Sequence, residues 1–232
     1  MKVRWMVLWM MLWSPVANAK TPTESLCYGS PKKGHLEAGW ALPVRGPNFR
    51  AYSWIGAALG RTYVHSRVYQ TIVEAYAQLE KTHPELNFVY GETGPKKGGR
   101  FWPHVTHQNG LSVDFMVPLL DQKGRRVPFP GNLSNLFGYR LEFDENGESK
   151  EYRIDFEGMA EHLYELQRAA RKEGIGIRLV IFAPELTQHL KETARGPYLT
   201  NHLRFFNRPA RIRHDEHYHV DFEVPCLKEG KS

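Results

Sequence analysis

The chain has 232 residues, of which 41% are hydrophobic and 24% charged. That balance excludes a disordered or low-complexity protein, and the length suffices to bury a sizeable core. The formal net charge of +6 is spread along the chain without a Lys/Arg cluster, which argues against nucleic acid and weakly favours an acidic partner such as cell wall or anionic lipid.

Lys2 and Arg4 precede nine uninterrupted apolar residues, Trp5–Trp13. Ser14-Pro15 ends the run, and Ala17-Asn18-Ala19 forms an A-x-A cleavage site. Residues 1–19 therefore read as a secretory signal peptide. The run is too short for a membrane span, which needs about 20 apolar residues. Nothing later is more apolar, so no stable membrane insertion is expected after cleavage. The mature chain, residues 20–232, keeps a charge of +4 once Lys2 and Arg4 are gone. Its two cysteines, Cys27 and Cys226, lie near its ends. They exclude a disulfide-dense scaffold and a four-thiolate zinc site, and are either one bridge between the termini or two free thiols.

Residues 20–60 are rich in Gly and Pro and read as an irregular wrapping segment. Val68, Ile72, Val73, Tyr76 and Leu79 recur at helical spacing, predicting a helix over Ser66–His83 stopped by Pro84. Leu86–Tyr90 reads as a strand and Gly91–Gly99 as a loop. Leu111–Leu119 alternates as a strand, with Ser112, Asp114 and Met116 sharing one face. Residues 120–155 are an excursion with a hairpin turning at Asn146-Gly147. Asp155 can cap a second helix, through Met159, Leu163, Leu166 and Ala170, that Gly174 ends. Ile175–Phe182 reads as a buried strand, Pro184–Ala194 as a helix and His217–Val224 as a last strand. Helices and strands do not alternate strictly, so the expected class is α+β: a central, mostly antiparallel sheet flanked by helices in one domain over 20–232.

Five of the eleven histidines fall in two stretches, GGRFWPHVTHQNGLSVD (98–114) and RHDEHYHVD (213–221). Residues two apart on a strand share a face, so His217 and His219 point the same way. One can ligate a metal while its neighbour handles the proton of bound water. Gly110 permits a sharp turn between His107 and Asp114, so a loop imidazole and a strand carboxylate can converge. His, Asp and His make a three-ligand set, and tetrahedral zinc then keeps a position for water, the pattern of a catalytic site. His104 and His214 read equally as donors behind the ligands, transition-state stabilisers or loop histidines. Phe101, Trp102 and Tyr218 either line a groove or pack around the site. His35, His65, His83, His162, His189 and His202 are read as structural or surface residues. Ser30-Pro31-Lys32-Lys33 fits a Ser-x-x-Lys pattern, but the Ser-Asp-Asn and Lys-Thr-Gly partners of a serine acyl-enzyme are missing.

The motifs His-x-x-His-x-x-Gly-x-x-x-Asp (104–114) and His-x-x-His-x-His (214–219) resemble those of the penicillin-insensitive murein endopeptidases. These belong to a zinc-peptidase group with lysostaphin, D-Ala-D-Ala carboxypeptidases and the hedgehog domain. The resemblance runs from about Gly29 to Cys226. It implies zinc on His107, Asp114 and His219, with His104 as a further histidine linked to the metal centre. It implies His217 as catalytic histidine and His214 as a second one near the reacting carbonyl. The substrate it implies is the D-alanyl–meso-diaminopimelyl cross-link of peptidoglycan, reached in the periplasm after export. The excursion 120–155 and the missing extra cysteines depart from the family and leave open a second metal and the groove shape. The rival readings are a D,D-carboxypeptidase or dipeptidase of the same zinc group, and a non-catalytic zinc-containing module that binds peptidoglycan.

Overall fold

A computed structural model describes residues 23–208 and 213–229. The expected signal peptide lies outside the described residues. Among the described residues, no helix is long and apolar enough to cross a membrane.

The chain opens with a hairpin, β1 (Leu26–Ser30) and β2 (Lys33–Glu37), followed by β3 (Trp40–Ala41), β4 (Phe49–Ala51), α1 (Trp54–Ala58) and β5 (Tyr63–Val64). The wrapping segment expected over 20–60 is thus more ordered than its composition suggests. Its strands have two to five residues, too few for a period to register. Ser30 and Lys33 flank the hairpin turn instead of starting a helix, as the dismissal of a serine enzyme requires.

The helix α2 (Ser66–Thr82) matches its expected span, with His65 as N-cap. It buries Val68, Ile72, Tyr76 and Leu79, and full burial of such side chains contributes about 1.5–3 kcal/mol each. Next come β6 (Phe88–Tyr90) and β7 (Ser112–Met116). The strand expected to reach Leu119 stops at Met116 because Pro118 has no N–H for the ladder. The Pro118 carbonyl instead accepts from the Asp155 amide at 2.8 Å. The chain then turns into β8 (Leu119–Asp121), β9 (Arg126–Val127) and β10 (Tyr152–Ile154), a separate antiparallel sheet in the order β10-β8-β9. The expected hairpin at Asn146-Gly147 is a different object: a turn closed by Asp144, whose carboxylate accepts from the amides of Asn146 and Glu148, both at 2.9 Å. The partner of β10 is β8, not a strand just before the turn.

Asp155 caps α3 (Phe156–Lys172) by accepting from the Gly158 amide, and Gly174 follows with φ +68. After β11 (Gly176–Ile181) come α4 (Pro184–Lys191), shorter than expected, and an unforeseen α5 (Gly196–His202). The last strand is β12 (His217–Glu223).

The central sheet has the order β11-β12-β7-β6-β4, antiparallel except for the parallel pair β4–β6. The class is α+β. Every residue of β7 is buried. Val113, Phe115, Tyr218 and Val220 alternate onto one face, where Phe115 and Tyr218 meet His162 of α3. The other face carries Ser112, Asp114, His217, His219 and Asp221, all buried. A sheet that buries charged residues along one face needs partners for them there.

Candidate metal centre

The register of two strands sets the site. Asp114 on β7 and His219 on β12 are direct cross-strand partners, so their side chains leave the same face side by side. The His219 Nδ1 lies 2.9 Å from the Asp114 Oδ1. His107 arrives from the loop ahead of β7. Its own φ of +67 and the +75 of Gly110 turn that loop back on the sheet. A Cβ at Gly110 would come within 2.8 Å of the His65 amide nitrogen, so the turn demands glycine. The His107 Nδ1 donates to the Thr93 carbonyl at 3.0 Å, and the Nε2 then faces the Asp114 Oδ1 at 3.3 Å. The ring centroids of His107 and His219 are 4.8 Å apart.

His107 Nε2 is buried and has no hydrogen-bond partner among the described residues. With Nδ1–H committed to Thr93, it presents a lone pair toward a carboxylate oxygen. Two acceptors facing each other in a dry interior repel unless a cation lies between them. Burial lowers the affinity of the His107 ring for a proton, although Asp114 opposes this. Burial also works against a charged Asp114, but the surrounding imidazoles hold its carboxyl well below the usual range. These directions favour an ionised Asp114 and a neutral His107 ring, the forms in which these two residues bind a metal. Ligand atoms of His104, His107 and Asp114 lie within 4.8 Å of one another, and a nitrogen-and-oxygen donor set of this kind suits zinc or a similar divalent ion.

His104, His217 and His219 each have a carboxylate on one ring nitrogen that orients the ring. The His219 Nε2 meets the Asp221 Oδ1 at 2.9 Å. Asp221 also accepts from the Ser112 hydroxyl at 2.6 Å and from the Arg178 guanidinium. Burial disfavours a charged His219 ring, but contacts to Asp114 and Asp221 outweigh it and push the ring up to about 10. A positive charge is therefore favoured between these two carboxylates. The His217 Nδ1 meets the Glu216 Oε1 at 2.9 Å, and its ring lies beside His214 with centroids 4.7 Å apart. Burial again opposes the charged form of His217, while Asp114 and Glu216 raise its affinity for a proton above the ordinary histidine value. His104 packs at 4.7 Å from the His107 ring, with its Nδ1 3.9 Å from the Asp114 Oδ2 and its Nε2 on Glu92.

The structure therefore brings His104, His107, Asp114, His214, His217 and His219 into one cleft of about 1420 Å³. Of the three flanking aromatics, only Trp102 lines that cleft. Tyr218 projects through the opposite face of the sheet to His162, because its neighbours at 217 and 219 claim the site face. Phe101 is buried, stacked on His104 and covered by the Arg61 guanidinium 4.2 Å from its ring.

Sequence reasoning missed four supporting groups. Glu92 accepts from Tyr52 at 2.6 Å, from Arg61 and from His104. Burial opposes its ionisation, but these partners bring the carboxyl down to about 2. The Tyr139 hydroxyl accepts from the Glu92 amide at 3.1 Å and donates to the Asp114 Oδ2 at 3.3 Å. Nothing in the spacing of Glu92 or Tyr139 announces them. Asp221 and Glu216 were findable: one lies two residues from His219 on a strand, the other next to His217.

A family model described as penicillin-insensitive murein endopeptidase matches residues 27–230. No curated protein matches the chain.

Proposed function

The chain belongs to the penicillin-insensitive murein endopeptidase family, and from that premise we propose that it is a zinc-dependent DD-endopeptidase. Its substrate in this reading is the D-alanyl–meso-diaminopimelyl cross-link of peptidoglycan in the periplasm. The observation that carries the reading is the unpaired, buried His107 Nε2 turned toward Asp114, with the His219 Nδ1 on the same carboxylate oxygen.

His107, Asp114 and His219 would hold the ion, with His104 beside them. When bound, zinc polarises the peptide carbonyl and makes water ionisable near neutral pH. His217 is the group that holds and moves the proton. Its Nδ1 is fixed by Glu216, so the Nε2 takes the proton from the attacking water and returns it to the leaving amine. His214, packed beside it at a tilt and lining the cleft, is placed to donate a hydrogen bond to the oxygen that becomes negative as the amide carbon turns tetrahedral. Glu216, buried with its carboxyl raised by burial, steadies the His217 ring through both proton transfers.

Metal analysis of the purified mature protein and mass spectrometry of muropeptides after digestion of murein sacculi test this together. Loss of cross-linked dimers, stopped by a chelator and restored by zinc, is the expected result. Loss of only terminal D-Ala from monomers would instead make it a carboxypeptidase, and intact murein would leave only a binding module. The His217→Ala variant should keep its metal and lose roughly 10²-fold or more in kcat, the usual share of a general base. Loss of metal with that substitution would move His217 into the ligand set.

A further inference from the structure

The carboxylates of the cleft are already matched within the chain. Glu92 faces Arg61, Asp221 faces Arg178, Glu216 faces His217, and Glu142 faces Arg213. Arg140 also lines the cleft and is exposed, yet it has no carboxylate partner among the described residues. It stands next to Tyr139, whose hydroxyl touches the metal-site carboxylate Asp114.

The segment that carries Arg140 is built to hold this position. Leu136 and Phe137 have φ of +48 and +58, two consecutive non-glycine residues in the left-handed region. Such conformations cost free energy and persist only where the surroundings enforce them. Here the Asn135 side chain accepts from the amides of Asn132 and Gly138 at 3.0 Å each, and its amide group donates to the Pro130 carbonyl. The Phe137 ring packs edge-on against Tyr52, centroids 5.9 Å apart, and the Arg140 amide donates to the Asn135 carbonyl at 3.1 Å. The strained turn thus puts an unneutralised guanidinium on the wall of the cleft, one residue from a side chain anchored on the metal site.

We infer that Arg140 is a substrate-carboxylate subsite that selects peptides with a free carboxylate beside the scissile amide nitrogen. The inference rests on the proposed hydrolysis of murein peptides and deepens it. In the cross-link named above, the carbon bonded to the scissile nitrogen also bears a free carboxylate, and the same holds for a terminal D-Ala. A guanidinium meets a carboxylate through two parallel N–H···O bonds, which a carboxamide cannot reproduce. Cleavage turns the amide nitrogen into an amine and leaves that carboxylate unchanged, so Arg140 contributes to binding and positioning and takes no proton.

The test uses metal-loaded protein and matched cross-linked muropeptides whose carboxylate is free or converted to carboxamide. The wild type should prefer the free carboxylate by about tenfold or more in kcat/KM, mainly through KM, the scale of a charge-assisted hydrogen-bonded pair. The Arg140→Ala variant should lose that preference, and Arg140→Lys should keep part of it. The same pair of ligands is titrated calorimetrically into His217→Ala and into His217→Ala/Arg140→Ala, which reads binding without turnover. Cleavage of both peptides with no preference, or a preference that survives Arg140→Ala, overturns the subsite while leaving hydrolysis intact. Preferential binding that depends on Arg140, without any cleavage by the wild type, upholds the subsite and overturns the hydrolytic reading. Neither binding nor cleavage overturns both.

Discussion

At the scale of single residues, His104, His107, His217 and His219 are each held by an oxygen acceptor on one ring nitrogen, which fixes how the ring faces the centre. The clearest case is His219. Asp221 holds its Nε2 at 2.9 Å and is itself fixed by Ser112 and Arg178. Its carboxyl is driven to about 2 despite burial, because His219, Ser112 and Arg178 together outweigh the cost of desolvation. Removing such an orienting carboxylate usually costs 10–100-fold in metal affinity. The Asp221→Ala variant should therefore bind zinc about 10–100-fold more weakly in competition with a chromogenic chelator, and Asp221→Asn, which keeps an acceptor oxygen, should lose less. Equal affinity in all three proteins would mean that His219 is oriented by something else. The residues of this constellation differ in how far the sequence discloses them. His107, Asp114, His217 and His219 stand out because strand period and a glycine-permitted turn relate them. Glu92 and Tyr139 reach the same site from separate loops, and only tertiary packing joins them.

At the scale of elements, the long helices and the two central strands were legible, since burial writes a regular period into them. Helix α3 follows its expected face and both its caps. The short strands β8, β9 and β10 were not, because two or three residues carry no period and their pairing is decided by turns and by Pro118. The contact between α3 and the sheet contains one group that the pattern of apolar residues hides. His162 is fully buried between Tyr76, Phe88 and Phe115, its Nδ1 hydrogen-bonded with the Tyr218 hydroxyl at 2.5 Å. Burial pushes its ring from 6.5 down to about 3. The unfolded chain therefore binds a proton below about pH 6.5 that the fold refuses until about pH 3, so unfolded molecules hold more protons in that window. The stability due to the neutral ring is complete above about pH 6.5 and falls as pH drops, by at most about 1.4 kcal/mol per unit. Urea unfolding across that window should show a shallower acid decline for His162→Gln than for the wild type. Parallel curves would mean that a protonated His162 is tolerated in the fold.

At the scale of the whole molecule, the ends of the described chain are joined beside the site. Cys27 on β1 and Cys226 just after β12 form a disulfide with a sequence separation of 199. Backbone bonds reinforce the closure, with the Leu227 amide donating to the Cys27 carbonyl and the Gly29 amide to the Leu227 carbonyl, both at 2.9 Å. The Asn109 side chain, in the turn between His107 and Asp114, lies 3.6 Å from the Cys226 sulfur. The bridge thus braces the tail of the strand that bears His217 and His219 against the hairpin under the His107 loop. A cross-link over so long a span removes much freedom from the unfolded chain, up to about 5 kcal/mol in the loop-entropy account. The Cys27→Ser/Cys226→Ser variant should melt lower by on the order of 10 °C. Reductant should bring the wild type down to the same midpoint and leave the variant where it is. Neither bridged cysteine is among the proposed metal ligands, so the variant should still bind zinc below its own melting range. A wild type whose midpoint ignores reductant would show that the backbone bonds at Leu227 and the core alone hold the ends together.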